Sequence, residues 1–352
     1  MLIFAIETSC DETSAAVVKD GSEVLSNIIS SQIEFHKKYG GIVPEIASRK
    51  HIEVINPIIK EAMDKSGKSF KDIDAVAVTY GPGLIGSLLV GLCAAKAIAW
   101  ALKIPLIGVN HLEGHIYANF LNSPPLSPSL IKRGGNPDEV GEEVSFPFLC
   151  LIVSGGHTMI VNVKDHGQYE TIGRTRDDAA GEAFDKVARV LNLGYPGGPI
   201  IDKLAKEGNS KAVKFKKPMV EDEYGYDFSF SGIKTAVVNL VASSKGQGAR
   251  KEDIAASFQR AVVLTLVEKL IKAAQDKNVN TVALAGGVSA NSGLREYLKK
   301  RCDEEGLTCL IPPLEFCTDN AAMIGCAAYF AHYPLRLTHY SLDLKPLASL
   351  KL

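Results

Sequence analysis

The chain has 352 residues, of which 46% are apolar, and its formal net charge is -1. This length and composition allow a large buried core and predict two domains or two lobes of one unit. The near-zero charge excludes a uniformly basic nucleic-acid-binding protein, so any contact with RNA would need a local basic patch or basic partners.

The first half of the chain predicts a sheet with helices. Three early strands joined by tight turns indicate an antiparallel start to this sheet. The predicted elements are strands at Leu2–Ile6, Ala15–Val18, Val24–Ser30, Ala75–Thr79 and Pro105–Val109, and helices at Pro44–Lys65, Leu84–Leu102 and directly after Asn110. The stretch 122–146 is rich in Pro, Ser and Gly, which predicts a surface loop or a linker between lobes.

The second half repeats this order of elements. Its predicted elements are strands at Phe148–Val153, Met159–Val163, Tyr169–Gly173 and Thr281–Ala285, and helices at Gly181–Leu191, Asp202–Glu207, after Asn291 and at Asp319–Tyr329. Both halves run strand-strand-strand and then helix-strand-helix, although no residue-level repeat is visible. We expect an α/β fold of two similar lobes around a cleft, with residues 1–121 and 320–352 in the first lobe and 147–319 in the second.

Only one segment has the length and apolarity of a membrane span, Leu84–Leu102. We interpret it as a buried helix because it contains Lys96 and follows a Gly-Pro-Gly turn. The N-terminus has neither the signal-peptide nor the transit-peptide pattern, and the seven cysteines are scattered without C-x-x-C spacing. These features favour a cytoplasmic, reducing location over a disulfide scaffold or a zinc ribbon.

Three turns rich in glycine or hydroxyl residues follow predicted strands, at Glu7–Thr13, Ser154–Thr158 and Gly286–Asn291. Small residues in such a turn expose backbone N–H groups and let a phosphate approach closely. A single turn of this kind is more often only a turn. Three of them at matching places in two similar halves indicate a nucleotide-binding cleft.

Two histidines give the sharpest chemical signal. His111 and His115 share one face of a helix, so their imidazoles could bind one borderline metal ion such as Fe²⁺ or Zn²⁺. The other interpretation is a pair of surface or capping histidines. Asn110 is a natural N-cap, and Glu113 could complete a capping box. The zinc-peptidase motif H-E-x-x-H is absent, since Leu112 stands where that motif has its glutamate.

A catalytic metal held by two histidines needs a third ligand, and Asp319 is the best candidate in the chain. A carboxylate beside two imidazoles leaves positions open for substrate or water. Taken alone, Asp319 is equally explained as an acidic residue in the first turn of a helix. Asp185, Gly198 and Asp202 suit a hydroxyl-rich ligand such as ribose, but spacing cannot distinguish this from an ordinary helix face followed by a turn.

Together these motifs resemble the tRNA threonylcarbamoyladenosine transferase family, known as the TsaD family, in its bacterial form. The resemblance runs through about residues 2–332. The motifs that carry it are Glu7–Thr13, Gly81–Gly86, Asn110–His115, Val153–His157, Gly181–Lys186, Tyr195–Pro199, Phe228–Lys234, Gly286–Asn291 and Thr318–Asn320.

The resemblance implies the fold class shared by actin-like ATPases, sugar kinases and Hsp70, with two similar lobes around a nucleotide-binding cleft. It implies transfer of a threonylcarbamoyl group from threonylcarbamoyl-AMP to N6 of adenosine 37 in tRNAs that read codons beginning with A. The implied metal ligands are His111, His115 and Asp319. The implied adenylate contacts are Ile152, Val153, Ser154, Gly155, Gly156, Asp185, Gly198, Asp202 and Asn291.

The same resemblance implies one divalent metal per subunit, with Fe²⁺ favoured over Zn²⁺, and no membrane. The implied partners are the tRNA anticodon loop, a smaller paralogous TsaB-like subunit and a TsaE-like ATPase. Asp11 and Glu12 are the nearest candidates by motif for moving the proton. The alternatives are a metallopeptidase, an ATP-dependent kinase of the same fold, and a non-catalytic scaffold in a modification complex.

Overall fold

The computed structural model describes residues 1–121, 144–215, 224–243, 249–332 and 342–352. Its contacts divide the chain into two compact units. The first unit comprises Met1–Phe146, Asp165–Gln168 and Pro312–Leu352, and the second comprises Pro147–Lys164 and Tyr169–Ile311. Most of the predicted loop 122–146, namely residues 122–143, lies outside the described residues.

The first unit is built on a five-stranded sheet in the order β3-β2-β1-β4-β5. Its strands are β1 (Leu2–Glu7), β2 (Glu12–Lys19), β3 (Glu23–Ser31), β4 (Ala75–Gly81) and β5 (Leu106–Asn110). Strands β1, β2 and β3 are antiparallel neighbours, as predicted, whereas β4 and β5 run parallel to β1. Strands β1 and β4 are almost wholly buried, since helices pack against this part of the sheet.

The helices of the first unit are α1 (Ile33–His36), α2 (Pro44–Ser66), α3 (Ile85–Leu102), α4 (His111–Tyr117) and α10 (Ala321–Ala327), which continues as a π-helix through His332. Helix α2 contains Pro57, and its apolar side chains share one core with β1, β4 and α3.

Helix α3 corresponds to the predicted apolar helix, but the expectation of a buried helix was only partly right. Among the described residues it is the one helix long and apolar enough to span a membrane, and 33% of it is buried. One face packs on the sheet, whereas the opposite face exposes Leu89 and Trp100, the latter at 72%. A core helix of a soluble protein meets the same criteria of length and composition.

The second unit repeats the sheet of the first. Its strand order is β10-β9-β6-β7-β8. As in the first sheet, the first strand, β6, pairs antiparallel with the next strand along the chain, β7, and parallel with a later strand, β9, which in turn pairs parallel with β10. The strands are β6 (Phe148–Val153), β7 (Thr158–Asp165), β8 (Gln168–Arg174), β9 (Thr281–Ala285) and β10 (Thr308–Leu310). The predicted repetition of strand order in the two halves is therefore confirmed.

The helices of the second unit are α5 (Ala180–Val190), α6 (Gly197–Ala205), α7 (Ser231–Ala242), α8 (Lys251–Lys277) and α9 (Ser292–Glu305). Helix α6 begins five residues before the predicted Asp202. Neither α7 nor α8 was predicted from the sequence, although α8 is buried along most of its length. Apolar side chains of α8 pack with α5 and the sheet into the core of this unit.

Candidate functional site

The carboxyl ends of three parallel strands bring the candidate metal ligands to one edge of the first sheet. Strands β1, β4 and β5 are neighbours in that sheet. Glu7 ends β1, Thr79 lies near the end of β4, and His111 directly follows β5. Because parallel strands end at the same edge, these three side chains meet.

Helix α4 holds both histidines in the protein interior. Asn110 is its N-cap and accepts a hydrogen bond from the backbone N–H of Leu112 at 2.9 Å, so the predicted cap is confirmed. All seven residues of α4 are buried. The rings of His111 and His115 lie 4.6 Å apart between centroids and are nearly perpendicular. They are therefore not surface histidines.

Asp319 reaches the two histidines from the other end of the chain. It precedes α10, whose N-cap is Asn320, so it is not the first-turn residue that the sequence suggested. Its Oδ1 atom lies 3.2 Å from Nε2 of His115 and 3.6 Å from Nε2 of His111. One ligand atom from each residue lies within 4.8 Å of the other two.

Close packing of α4 against α10 makes this meeting possible. A Cβ atom at Gly114 would lie 2.7 Å from Cδ1 of Ile324 and 3.2 Å from Met323. A side chain at that position would displace the side chains of Ile324 and Met323. The glycine between the two histidines thus allows the close contact between α4 and α10.

The donor set fits a divalent metal ion. Both ring nitrogens of His115 are buried; Nδ1 has no hydrogen-bond partner among the described residues, and Nε2 faces Oδ1 of Asp319 at 3.2 Å. Burial lowers the pKa of His115, although Asp319 opposes this effect. The lowered pKa favours a neutral ring. Buried, unsatisfied polar atoms are costly, and a cation bound to a ring nitrogen would remove part of that cost. Two imidazoles and one carboxylate can therefore hold a metal here.

His111 lies in a more acidic environment than His115. Burial alone would lower the pKa of His111, but Asp319 and Glu7 outweigh it and raise that pKa to about 9. Burial likewise raises the pKa of Glu7, and the effects of His111 and Thr79 outweigh it and lower that pKa. Negative charge thus accumulates where a cation would bind.

Asp11 and Glu12 lie in the turn between β1 and β2 and at the start of β2. Asp11 is buried, and the carboxylate of Glu12 accepts a hydrogen bond from Oγ of Ser31 at 3.0 Å. Burial raises the pKa of Glu12 well above its usual range, and the neighbouring charges of Asp11 and Asp319 raise it further. Glu12 is therefore a carboxyl group whose proton is held unusually tightly.

In the second unit, the turn after β6 satisfies most of its own backbone groups. The N–H groups of Gly156 and His157 donate to Oγ of Ser154, and the N–H of Ser154 donates to the carbonyl of His157. A phosphate would have to compete with Oγ of Ser154 for these donors. The side chains of Ile152 and Val153 are fully buried, so only their backbone atoms could face a ligand.

The N-terminus of α5 packs closely against this turn, and the N-terminus of α6 packs against α5. A Cβ at Gly181, in the first turn of α5, would lie 2.6 Å from the carbonyl oxygen of Ser154 and 2.9 Å from Gly155. The N–H of Gly197, which begins α6, donates to Oδ1 of Asp185 at 2.7 Å. Asp185, in the middle of α5, therefore joins this helix to the start of α6.

Asp202 and Asn291 belong to one hydrogen-bond network with Gln259 at its centre. Nε2 of Gln259 donates to Oδ1 of Asp202 at 3.0 Å, and its Oε1 accepts from Nδ2 of Asn291 at 2.8 Å. Ser292 also donates to both oxygens of Asp202. Gln259 lies on α8, which the sequence did not reveal, so it was missed as a functional candidate. No local motif surrounds it.

The structure thus gathers the predicted site residues into two sets, one in each unit. His111, His115 and Asp319 form the first set, with Asp11 and Glu12 nearby through the charge of Asp319 on Glu12. The second set comprises the adenylate candidates Ile152, Val153, Ser154, Gly155, Gly156, Asp185, Gly198, Asp202 and Asn291. Gly198 is open, since no atom lies within 4 Å of a Cβ built on it.

Comparison with known proteins decides the family. The family model for TsaD, tRNA N6-adenosine threonylcarbamoyltransferase, matches residues 23–326. This chain belongs to the TsaD family. A Clostridium botulinum tRNA N6-adenosine threonylcarbamoyltransferase is 56% identical over 352 residues, which cover 99% of this chain and 97% of that protein. The Clostridioides difficile protein of the same name is 55% identical over 332 residues, or 94% of this chain and 93% of the relative.

Solved structures confirm the predicted fold class. Component A of the Acidaminococcus fermentans (R)-2-hydroxyglutaryl-CoA dehydratase aligns with a TM-score of 0.52 at 15% identity, covering 96% of this chain and 100% of that one. A full-length HypF in a phosphate- and nucleotide-bound form aligns with a TM-score of 0.59 at 15% identity, covering 97% of this chain and 47% of HypF. At such identities the likeness concerns the fold alone, which is that of the actin-like ATPase, sugar kinase and Hsp70 class.

Proposed function

We propose that this TsaD-family chain transfers a threonylcarbamoyl group from threonylcarbamoyl-AMP to N6 of adenosine 37 in tRNAs that read codons beginning with A. The observation that carries the proposal is the 56% identity to a tRNA N6-adenosine threonylcarbamoyltransferase over 99% of the chain. The His-His-Asp group supports it, because the residues that the resemblance implied as ligands lie together.

One divalent metal ion would be held by His111, His115 and Asp319. Two imidazoles and one carboxylate form the ligand set that non-haem Fe²⁺ prefers and that Zn²⁺ accepts, so we favour Fe²⁺. When bound, the cation would supply Lewis-acid polarisation of the oxygens of the acyl donor. Glu7 and the buried walls of α4 keep the first two ligands in place.

The adenylate part of the donor would be held by the second unit. Asp185 lies on α5 with its carboxylate against the first residue of α6, and Asp202 lies on α6. Both carboxylates can accept hydrogen bonds from ribose hydroxyls. The turn at Ser154–Gly156 would offer backbone N–H groups to the phosphate once Oγ of Ser154 turns away. These contacts would stabilise AMP as the leaving group.

The attacking amine of adenine is a poor nucleophile, so its position and the removal of its proton matter. We assign that proton to the pair Asp11 and Glu12. The burial of Asp11 in the turn between β1 and β2, and the charge of Asp319 beside Glu12, support this choice. The target base would also have to leave the anticodon-loop stack before it could react.

We further propose a TsaB-like subunit, a TsaE-like ATPase and a cytoplasmic location, where tRNA is available. A net charge of -1 supports partners that contribute to tRNA binding. The exposed apolar side chains of α3, such as Leu89 and Trp100, are of the kind that a protein partner covers.

The alternative functions have less support. A metallopeptidase of the H-E-x-x-H type would need a glutamate where this chain has Leu112. An ATP-dependent kinase would need Mg²⁺, which prefers oxygen ligands to the two imidazoles found here. A non-catalytic scaffold has no need of a buried ligand set.

The proposal is tested by incubating the purified chain with threonylcarbamoyl-AMP, unmodified tRNA and its partners, and then digesting the tRNA to nucleosides for mass spectrometry. We expect N6-threonylcarbamoyladenosine with the wild-type chain and none with an Asp319→Ala variant. Unmodified adenosine in the complete reaction would overturn the proposed function and favour the alternatives.

A further inference from the structure

The carboxylate of Glu7 is fully buried, and both of its oxygens face hydrogen-bond donors. Oε1 accepts from the backbone N–H of Ser9. Oε2 accepts from Oγ1 of Thr79 and lies 3.1 Å from Nδ1 of His111. A buried anion is tolerated only when donors surround it in this way, and the same donors fix the orientation of its two oxygens.

We propose that Glu7 is a positioning residue that keeps the proton of His111 on Nδ1 and so leaves Nε2 to bind the metal. An ionised carboxylate can only accept hydrogen bonds, so the nitrogen facing it must carry the proton. Nε2 of His111 is the nitrogen that faces Asp319, at 3.6 Å from Oδ1. This inference rests on the metal site proposed above.

Ser9 does not explain the same choice. Its Oγ atom also lies 3.1 Å from Nδ1 of His111, but a hydroxyl group can donate or accept. A serine alone would therefore permit either tautomer of the ring. Only the carboxylate removes one of the two possibilities, and it also makes the imidazole a stronger ligand by hydrogen bonding to its far side.

The two histidines differ in how they are held. Nδ1 of His111 has a carboxylate partner, whereas Nδ1 of His115 has no hydrogen-bond partner among the described residues. His115 is held by packing between α4 and α10 instead. We infer that the strand edge where β1, β4 and β5 end prepares His111 in advance, and that Glu7 contributes to metal affinity without touching the metal.

The test is Zn²⁺ titration of the metal-stripped, full-length chain by calorimetry, with variants Glu7→Ala, Glu7→Gln and Thr79→Val. We expect Kd to rise about 10- to 100-fold in Glu7→Ala. Glu7→Gln keeps the size of the side chain but replaces one carboxylate oxygen with an NH₂ group. This NH₂ group must face a donor, either the N–H of Ser9 or the groups of Thr79 and His111. We therefore expect Glu7→Gln to bind Zn²⁺ more weakly than the wild-type chain as well. Thr79→Val removes one of the donors that orient this carboxylate but leaves the carboxylate itself beside Nδ1 of His111, so its Kd should rise clearly less than that of Glu7→Ala.

A second measurement separates positioning from general stability. In the zinc-loaded wild-type chain, the Nδ1 proton of His111 should give a low-field proton resonance that is protected from solvent exchange, and Glu7→Ala should lose it. If Glu7→Ala bound Zn²⁺ with the Kd of the wild-type chain and kept the resonance, the inference would be overturned, but the proposed metal site would not. Equal losses of affinity in Thr79→Val and Glu7→Ala would also overturn it. Failure of the wild-type chain to bind Zn²⁺ would overturn the metal site first and this inference with it.

Discussion

Nδ2 of Asn291 donates a 2.8 Å hydrogen bond to Oε1 of Gln259, whose Nε2 in turn donates to Asp202. Asn291 is also the N-cap of α9, because its Oδ1 accepts from the backbone N–H of Leu294. Its amide orientation is thus determined from both sides. Three elements, α6, α8 and α9, meet through the side chain of one buried glutamine.

The first prediction concerns this glutamine. Gln259→Ala leaves Nδ2 of Asn291 and Oδ1 of Asp202 without their shared partner, at a cost of about 1–3 kcal/mol for each group that stays unsatisfied. Asn291 then keeps only its cap bond to Leu294, and Asp202 keeps its bonds to Ser292, so both side chains are less firmly oriented. We expect weaker binding of AMP, measured by calorimetry, and slower transfer. The matched control is Thr265→Val on the same helix, where the hydroxyl bonds only to the carbonyl of Ala261. AMP binding by Gln259→Ala equal to that of the control would contradict the prediction.

The second prediction concerns metal binding and stability. A ligand that binds only the folded chain stabilises it, by about 2.7 kcal/mol at a free concentration 100 times its Kd. We expect Fe²⁺ or Zn²⁺ to raise the midpoint of thermal unfolding of the first unit in the wild-type chain. His111→Ala and His115→Ala should fold, yet show no such rise and no transferase activity.

Metal-free His115→Ala should lose roughly 2–5 kcal/mol, because deleting a fully buried ring leaves a cavity and removes the contact of Nε2 with Asp319. Differential scanning calorimetry with and without metal gives this comparison. Wild-type modification of tRNA by either purified histidine variant would refute the ligand assignment.

The sequence predicted most of the elements because their apolar periodicity is local. It also predicted that His111 and His115 share a helix face, since four residues of spacing determine that geometry. The position of Asp319 beside them depends on the packing of α10 against α4, which no local pattern contains. The sequence offered Asp319 as the best candidate for a third ligand and the family resemblance implied it, but only the structure shows it beside the histidines.

Other features were hidden for physical reasons. The sequence placed Glu7 in a predicted phosphate-binding turn. Its carboxylate instead accepts a hydrogen bond from the N–H of Ser9 within that turn and lies beside Nδ1 of His111, at the end of the neighbouring strands. Helix α8 carries buried residues on most of its surface, so its sequence lacks the one-sided periodicity of a surface helix. The role of Gln259 could therefore not be predicted, because it depends on the packing of α6 and α9 against α8.

The third prediction uses the raised pKa of Glu12. A carboxyl group whose pKa is higher in the folded than in the unfolded chain stabilises the fold below the unfolded pKa, and this contribution is lost as pH rises through the folded pKa. Glutamine resembles the protonated form, so Glu12→Gln should become more stable than the wild type as pH increases. The gain is about 1.4 kcal/mol for each unit by which the pKa of Glu12 is raised.

Urea unfolding of the metal-stripped chain at a series of pH values from acidic to alkaline measures this difference. Glu61→Gln is the control, because Glu61 is an exposed carboxylate paired with Lys65 on α2. A stability difference between Glu12→Gln and wild type that stays flat with pH would show that burial does not hold the Glu12 proton.

The last prediction concerns the close approach of α5 to the turn after β6. A Cβ at Gly181 would lie 2.6 Å from the carbonyl oxygen of Ser154, and backbone atoms cannot move aside as a flexible side chain can. We expect Gly181→Ala to cost about 1–3 kcal/mol, the range found when a packed site is overfilled. The displaced turn should also bind AMP more weakly.

Gly232 on α7 is the matched control for this substitution. No atom lies within 4 Å of a Cβ built there, so Gly232→Ala should raise helix stability by about 0.5–1 kcal/mol and leave AMP binding unchanged. Chemical denaturation and AMP calorimetry on both variants give the two readouts. Equal changes in stability and in AMP affinity for Gly181→Ala and Gly232→Ala would contradict the close contact between α5 and the turn after β6.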